Sequence, residues 1–82
     1  MNIVGQNSIM SGKRVFELVD RHGMPIMVIN AALRERGVGF DVPEFIEAAR
    51  NAGWKNRTIR TTLLDDSSIP QEARDQVNQL LP

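Results

Sequence analysis

The chain has no cysteine, and that single absence removes a disulfide framework, a thiolate zinc site and a cysteine nucleophile together. Small secreted domains usually need such staples. Tyrosine is also missing and aromatic residues reach only 5%, with one Trp and three Phe, so Leu, Ile, Val, Met and Ala must fill most of a core. No run approaches the roughly 18 to 20 apolar residues that span a bilayer, and the N-terminus shows no basic stretch followed by an apolar one. These features lead us to expect a cytoplasmic protein without a membrane span. Net charge is lacking too, with ten basic and ten acidic side chains. Domains that bind nucleic acid are usually basic.

What is present describes one small globular domain. Eighty-two residues, 41% hydrophobic and 24% charged, suffice for one core and not for two. The charge is unevenly placed. Residues 1 to 40 carry a net +2, 41 to 49 a net −3, the eleven residues 50 to 60 a net +4, and 61 to 82 a net −3.

Periodicity and stop signals predict an all-α fold, a bundle of about five short helices over residues 11–82 behind a flexible arm at 1–10. Ser11 reads as the first N-cap, and Val15, Leu18, Val19 and His22 fall on one face ahead of Gly23. Pro25 opens a second helix that Gly37 closes. Ile26 to Ile29 could be a short strand, but the continuation through Ala31, Ala32 and Leu33 favours a helix buried nearly all round. Asp41-Val42-Pro43-Glu44 is a capping box, in which Asp41 accepts from the Glu44 N–H while Glu44 reaches back. The third helix then buries Phe45, Ile46, Ala49 and Ala52 and ends at Gly53. Asn56 is the expected cap of a fourth helix carrying Ile59, Leu63 and Leu64. Ser68-Ile69-Pro70-Gln71 is a second capping box, before a fifth helix with Ala73, Val77, Leu80 and Leu81 on one side.

Three of the glycine stops carry the hydrophobic pair of a Schellman motif: Met24 with Val19, Val38 with Leu33, and Trp54 with Ala49. Trp54 is therefore expected to be buried against Ala49 and the fourth helix. A shift of 30 residues lays Glu17 on Glu47, Gly23 on Gly53, Ile29 on Ile59 and Leu33 on Leu63. Two stacked helical hairpins would give this echo, as would chance similarity between two hairpins.

Residues 45–64 resemble the helix-turn-helix of phage and bacterial DNA-binding regulators. Ala49 is the small residue four before the turn glycine Gly53, Trp54 is the apolar residue after it, and Ile59 the branched one six after it. Thr62 departs from the pattern, which has an apolar residue there, and Leu63 lies beside it. The resemblance implies a small transcriptional regulator that reads double-stranded DNA in the major groove with the helix 56–64. With Ile59, Leu63 and Leu64 turned inward, Lys55, Asn56, Arg57, Thr58, Arg60 and Thr61 are left outside, donors and hydroxyls without a carboxylate. Arg pairs with guanine and Asn with adenine, while Lys and Thr hold phosphates. Arg50 joins this set as a flanking cation. A homodimer would set two reading helices about 34 Å apart, with the fifth helix, through Val77, Leu80 and Leu81, as its natural contact; core packing is the alternative for that helix.

A protein-interaction module, such as an adaptor, antitoxin or inhibitor, is the alternative, favoured by the zero net charge and the acidic C-terminal quarter. A basic face around Arg50, Lys55, Arg57 and Arg60 would favour DNA, and an exposed apolar patch with Met or Trp54 a protein partner. Other candidates are weaker. His22 is the single His and reads as a partly buried cap residue. Gly37-Val38-Gly39 lacks the context of a nucleotide loop. Asp65-Asp66 lacks calcium-loop spacing, and Met24 and Met27 most simply fill core gaps. Asn56-Arg57-Thr58 matches a glycosylation acceptor by accident. No base, nucleophile or metal cluster points to an enzyme, and no cofactor is implied.

Overall fold

The computed structural model describes residues 9–65, 69 and 71–81. Within them the chain runs β1 (Ile9–Met10), α1 (Gly12–Asp20), α2 (Ile26–Glu35), β2 (Gly39–Phe40), α3 (Val42–Asn51), α4 (Asn56–Leu64) and α5 (Gln71–Leu80). The fold is all-α, as the periodicity predicts, with five helices and two two-residue strands among the described residues.

The strands correct one expectation. Ile9 and Met10, assigned to the arm, pair in parallel with Gly39 and Phe40, and the Asp41 N–H extends the pairing to the Met10 carbonyl at 3.0 Å. Residues 1–8 of the expected arm lie outside the described residues, as do Ser68 and Pro70 of the second capping box and Asp66.

The strand register is offset by 30 residues, and the same offset organises the rest. Ser11 and Asp41 are the N-caps of α1 and α3. Gly23 and Gly53 both take positive φ, 64° and 91°. Val15 and Phe16 are buried as Phe45 and Ile46 are, and Ile29 as Ile59 is. Two strand-helix-turn-helix units therefore stack through their strands and through α1 against α3, the most extensive helix contact in the molecule. Strands that run parallel start both helices at the same level. The two N-termini consequently lie side by side.

That junction explains two residues. The Asp41 carboxylate caps α3 as expected, accepting from the Glu44 N–H at 3.0 Å. Glu44 does not reach back along its own helix. Its Oε1 accepts instead from the Ser11 hydroxyl and from the Lys13 N–H at 3.1 Å, so it caps α1 across the interface. One carboxylate there complements two positive helix ends. Gly12 is buried because α3 leaves no room above it: a β-carbon would overlap the Asp41 carbonyl oxygen and the Phe45 amide nitrogen.

The core gathers Val15, Phe16, Ile29, Val42, Phe45, Ile46, Ala49, Ile59 and Leu63 with Ile69, Val77 and Leu81. All the aromatic rings join in one chain of edge-on contacts. Trp54 meets Phe16 at 5.0 Å, Phe16 meets Phe45 at 5.5 Å and Phe45 meets Phe40 at 5.9 Å. Trp54 is thus only half-buried, and its ring stands edge-on to Phe16 of α1. The buried face of α1 is correspondingly Gly12, Val15 and Phe16, while Leu18 and Val19 are half-buried and His22 is exposed.

Ile26 to Ile29 is helical, with no strand there. It is not buried all round, however. Ile26, Ile29 and Asn30 turn inward, whereas Met27 and Val28 stand 59% and 50% exposed, and Ala31 and Ala32 are exposed beside them. Two of the three glycine stops follow the expected pairing, with Val38 donating to Leu33 at 2.9 Å and Trp54 to Ala49 at 3.0 Å. At the first stop Met24 donates to Leu18, six residues back, in place of Val19. Three residues lie between the end of α1 and Met24, and the wider turn reaches one carbonyl further.

Candidate nucleic-acid interface

The segment between α3 and α4 is built by Gly53. At φ 91° it turns the chain where an L side chain would be strained, and Ala49, buried at 0% exposure, lets α4 approach α3. On α4 the inward positions are Ile59 and Leu63, both fully buried, one turn apart. Thr62, where the helix-turn-helix pattern has its second apolar residue, is half-buried. The seam is carried by Leu63, one position on.

This rotation decides what α4 presents. Lys55, Asn56, Arg57, Thr58 and Thr61 are exposed, and so is Arg50 on α3. Arg60 is half-buried, contrary to its expected exposure, and its guanidinium donates to the Leu81 carbonyl at 2.9 Å. The reason is tertiary. Leu81, buried at 2% exposure, brings the end of α5 beneath α4, and Arg60 satisfies a carbonyl there that the ending helix leaves without an N–H.

Asn56 also differs from expectation. The N-cap of α4 is Lys55, which makes no side-chain capping bond, and Asn56 is the first helical residue. Its Oδ1 accepts from Arg50 Nε at 3.0 Å, while Arg50 Nη2 reaches the Leu80 carbonyl at 3.4 Å. Arg50 and Asn56 thus clasp the end of α3 to the start of α4. Of the seven residues singled out in the sequence, Lys55, Arg57, Thr58 and Thr61 keep exposed side chains outside these contacts. Arg50, Asn56 and Arg60 position the helix.

Among the described residues the carboxylate nearest this face is Asp65, the exposed C-cap of α4 one turn beyond Thr61; the acidic residues of α3 lie elsewhere. Glu44 is held at the α1 junction, where the Ser11 hydroxyl and then the Lys13 N–H bond its charged form and lower its pKa below the ordinary carboxylate value. Glu47 lines a separate groove between α1 and α3, with Lys13, Glu17, Asp20 and Arg21. A larger groove of about 570 Å³ runs between α2, β2 and α5, with Arg34, Asp41 and Glu72 among its walls. Neither groove contains an α4 residue. Among the described residues no group of three or more His, Asp or Glu side chains is placed to hold a metal ion, and no helix is long and apolar enough to cross a membrane.

The fifth helix was a candidate dimer contact. Val77 and Leu81 instead close the core of the same chain, at 0% and 2% exposure, and only Leu80 of that set is exposed. Sequence reasoning missed the apolar face of α2, although the 30-residue offset could have shown it, since Met27, Val28, Ala31 and Ala32 align with Arg57, Thr58, Thr61 and Thr62. Comparison with protein-family models, with curated proteins and with solved structures finds no match for the chain.

Proposed function

We propose that this protein binds double-stranded DNA through the outward face of α4, as a small regulator of the helix-turn-helix type. The observation that carries the reading is the composition of that face. Lys55, Arg57, Thr58 and Thr61 stand exposed on a helix whose first turn holds no acidic residue and whose start has no side-chain cap. Backbone N–H groups at such a helix end, with a Lys and an Arg beside them, suit a phosphate. Arg57 is the base-reading candidate, Lys55 and Thr58 hold phosphates, and Arg50 with Asn56 sets the angle of the helix.

The test is titration against random duplex DNA at two salt concentrations, comparing wild type with Arg57→Ala. Wild type should bind more tightly than about 10⁻⁴ M at low salt, the weak end of non-specific association. If Arg57 reads a base, its loss weakens the preferred site by about 1 to 3 kcal/mol. If it touches phosphate, the slope of log affinity against log salt falls by about 0.9. No affinity at low salt would end the proposal. The second reading, a protein-interaction module, is favoured by one observation, the exposed Met27 and Val28 on α2.

A further inference from the structure

The two units of the fold are built alike, but their second helices present opposite chemistry. Where α4 turns Arg57, Thr58 and Thr61 outward, α2 turns Met27, Val28 and Ala31 outward at the matching positions, with Ala32 beside them. Met27, Val28, Ala31, Ala32 and Glu35 lie within an arc of about 140° at 3.6 residues per turn. Glu35 is its only charged member. Met27 and Val28 are adjacent and more than half or just half exposed, and both belong to the few large hydrophobic side chains left in solvent among the described residues. An apolar stripe of this kind marks a contact surface.

We propose that this stripe is the contact with a second copy of the chain, α2 packing antiparallel on α2 about a two-fold axis at Ala31. Charge on the stripe itself favours an antiparallel partner, while Arg34 of the last turn lies outside the stripe, in the wall of the groove toward α5. The helix start is capped by Pro25 with no side-chain bond, and its first turn has no acidic residue, so the positive end of the helix dipole is unneutralised. Its other end carries Glu35 on the same stripe, and no hydrogen bond or ion pair within the described residues engages that carboxylate. Antiparallel pairing about Ala31 brings Met27 opposite Glu35 of the second copy. Each Glu35 then meets the first turn of the facing helix. At the centre, Ala31 and Ala32 allow close approach of the two backbones, while Met27 and Val28 cover the ends. In such a symmetric contact every residue meets its own counterpart set, and Ala31 meets itself.

One helix pair buries less than the about 800 Å² per partner of a standard interface. The dimer is therefore weak and forms only at high protein concentration. The proposal does not depend on the DNA reading, and it is tested without DNA. Sedimentation equilibrium up to about 1 mM should show a monomer-dimer equilibrium. The double variant M27E/V28E should remain monomeric with an unchanged far-UV spectrum, since neither side chain is buried. Because the chain has no cysteine, Ala31→Cys should form a disulfide-linked dimer on mild oxidation, as two Cα atoms within about 7 Å can. Thr61→Cys, at the matching place on α4, should not. A monomer at all concentrations, a dimer that survives M27E/V28E, or equal crosslinking of the two cysteine variants would overturn the proposal. A dimer that binds no duplex would overturn the DNA reading alone.

Discussion

Gly12→Ala tests the junction on which the stacking of the two units depends. The added β-carbon would stand 3.0 Å from the Glu44 carbonyl carbon and overlap two backbone atoms, the Asp41 carbonyl oxygen and the Phe45 amide nitrogen. Backbone cannot rotate away as a side chain can. Restoring ordinary contact at about 3.5 Å requires α1 and α3 to separate by on the order of 1 Å, which loosens the Phe16–Phe45 contact at 5.5 Å and stretches the Lys13–Glu44 bond at 3.1 Å. Overpacking of this kind costs about 1 to 3 kcal/mol, and the better helix propensity of Ala returns up to about 1 kcal/mol. A net loss of about 2 kcal/mol is expected, a sizeable part of the roughly 4 to 12 kcal/mol available to 82 residues. Thermal unfolding followed by circular dichroism should show a midpoint lower by about 8 to 16 °C. Gly39→Ala is the control, because a β-carbon there meets nothing within 4 Å, and it should shift stability by no more than about 0.5 kcal/mol. If Gly12→Ala melts with wild type, the close approach of α1 and α3 is refuted.

Glu44 makes stability depend on acid. Its pKa is lowered in the folded chain, so its contribution is complete above the unfolded carboxylate value near 4.3 and is lost as pH falls through the folded value. Urea titrations from about pH 6 to pH 3 should show a shallower acid limb in Glu44→Gln than in wild type, and identical limbs would contradict the cross-helix cap. Arg60→Ala should destabilise by about 1 kcal/mol through the Leu81 carbonyl it leaves unbonded, while Arg57→Ala leaves the midpoint unchanged. Equal melting of the two arginine variants would show that the Leu81 contact contributes nothing.

Local chemistry is what the sequence made legible. The Ser11 and Asp41 caps, the stops at Gly23, Gly37 and Gly53, and the helicity of Ile26 to Ile29 each depend on neighbours within about one turn, and a chain read in order displays them. The inward turn of Ile59 and Leu63 was legible for the same reason, since their spacing alone puts them on one face. The 30-residue echo was visible too, but identities at a few positions do not separate a structural repeat from coincidence. The register of Ile9 on Gly39 does.

The rest required the third dimension. Glu44 has the spacing to cap its own helix, and only the parallel strands, by bringing the start of α1 alongside, offer it the Ser11 hydroxyl and the Lys13 N–H instead. Arg60 has the composition of a free surface cation until the end of α5 places the Leu81 carbonyl under it. Trp54 follows its glycine as a local motif demands, yet the ring goes where Phe16 stands, thirty-eight residues earlier in the chain. Met27 and Val28 look like core because apolar residues surround them in sequence, and whether any element covers them is a property of how five helices divide a small volume. Hydrogen-bonding partners and covering layers that come from distant segments leave no periodic trace along the chain, so the amino-acid order determined the helices and their ends, while tertiary packing decided which of their polar and apolar groups remained available for function.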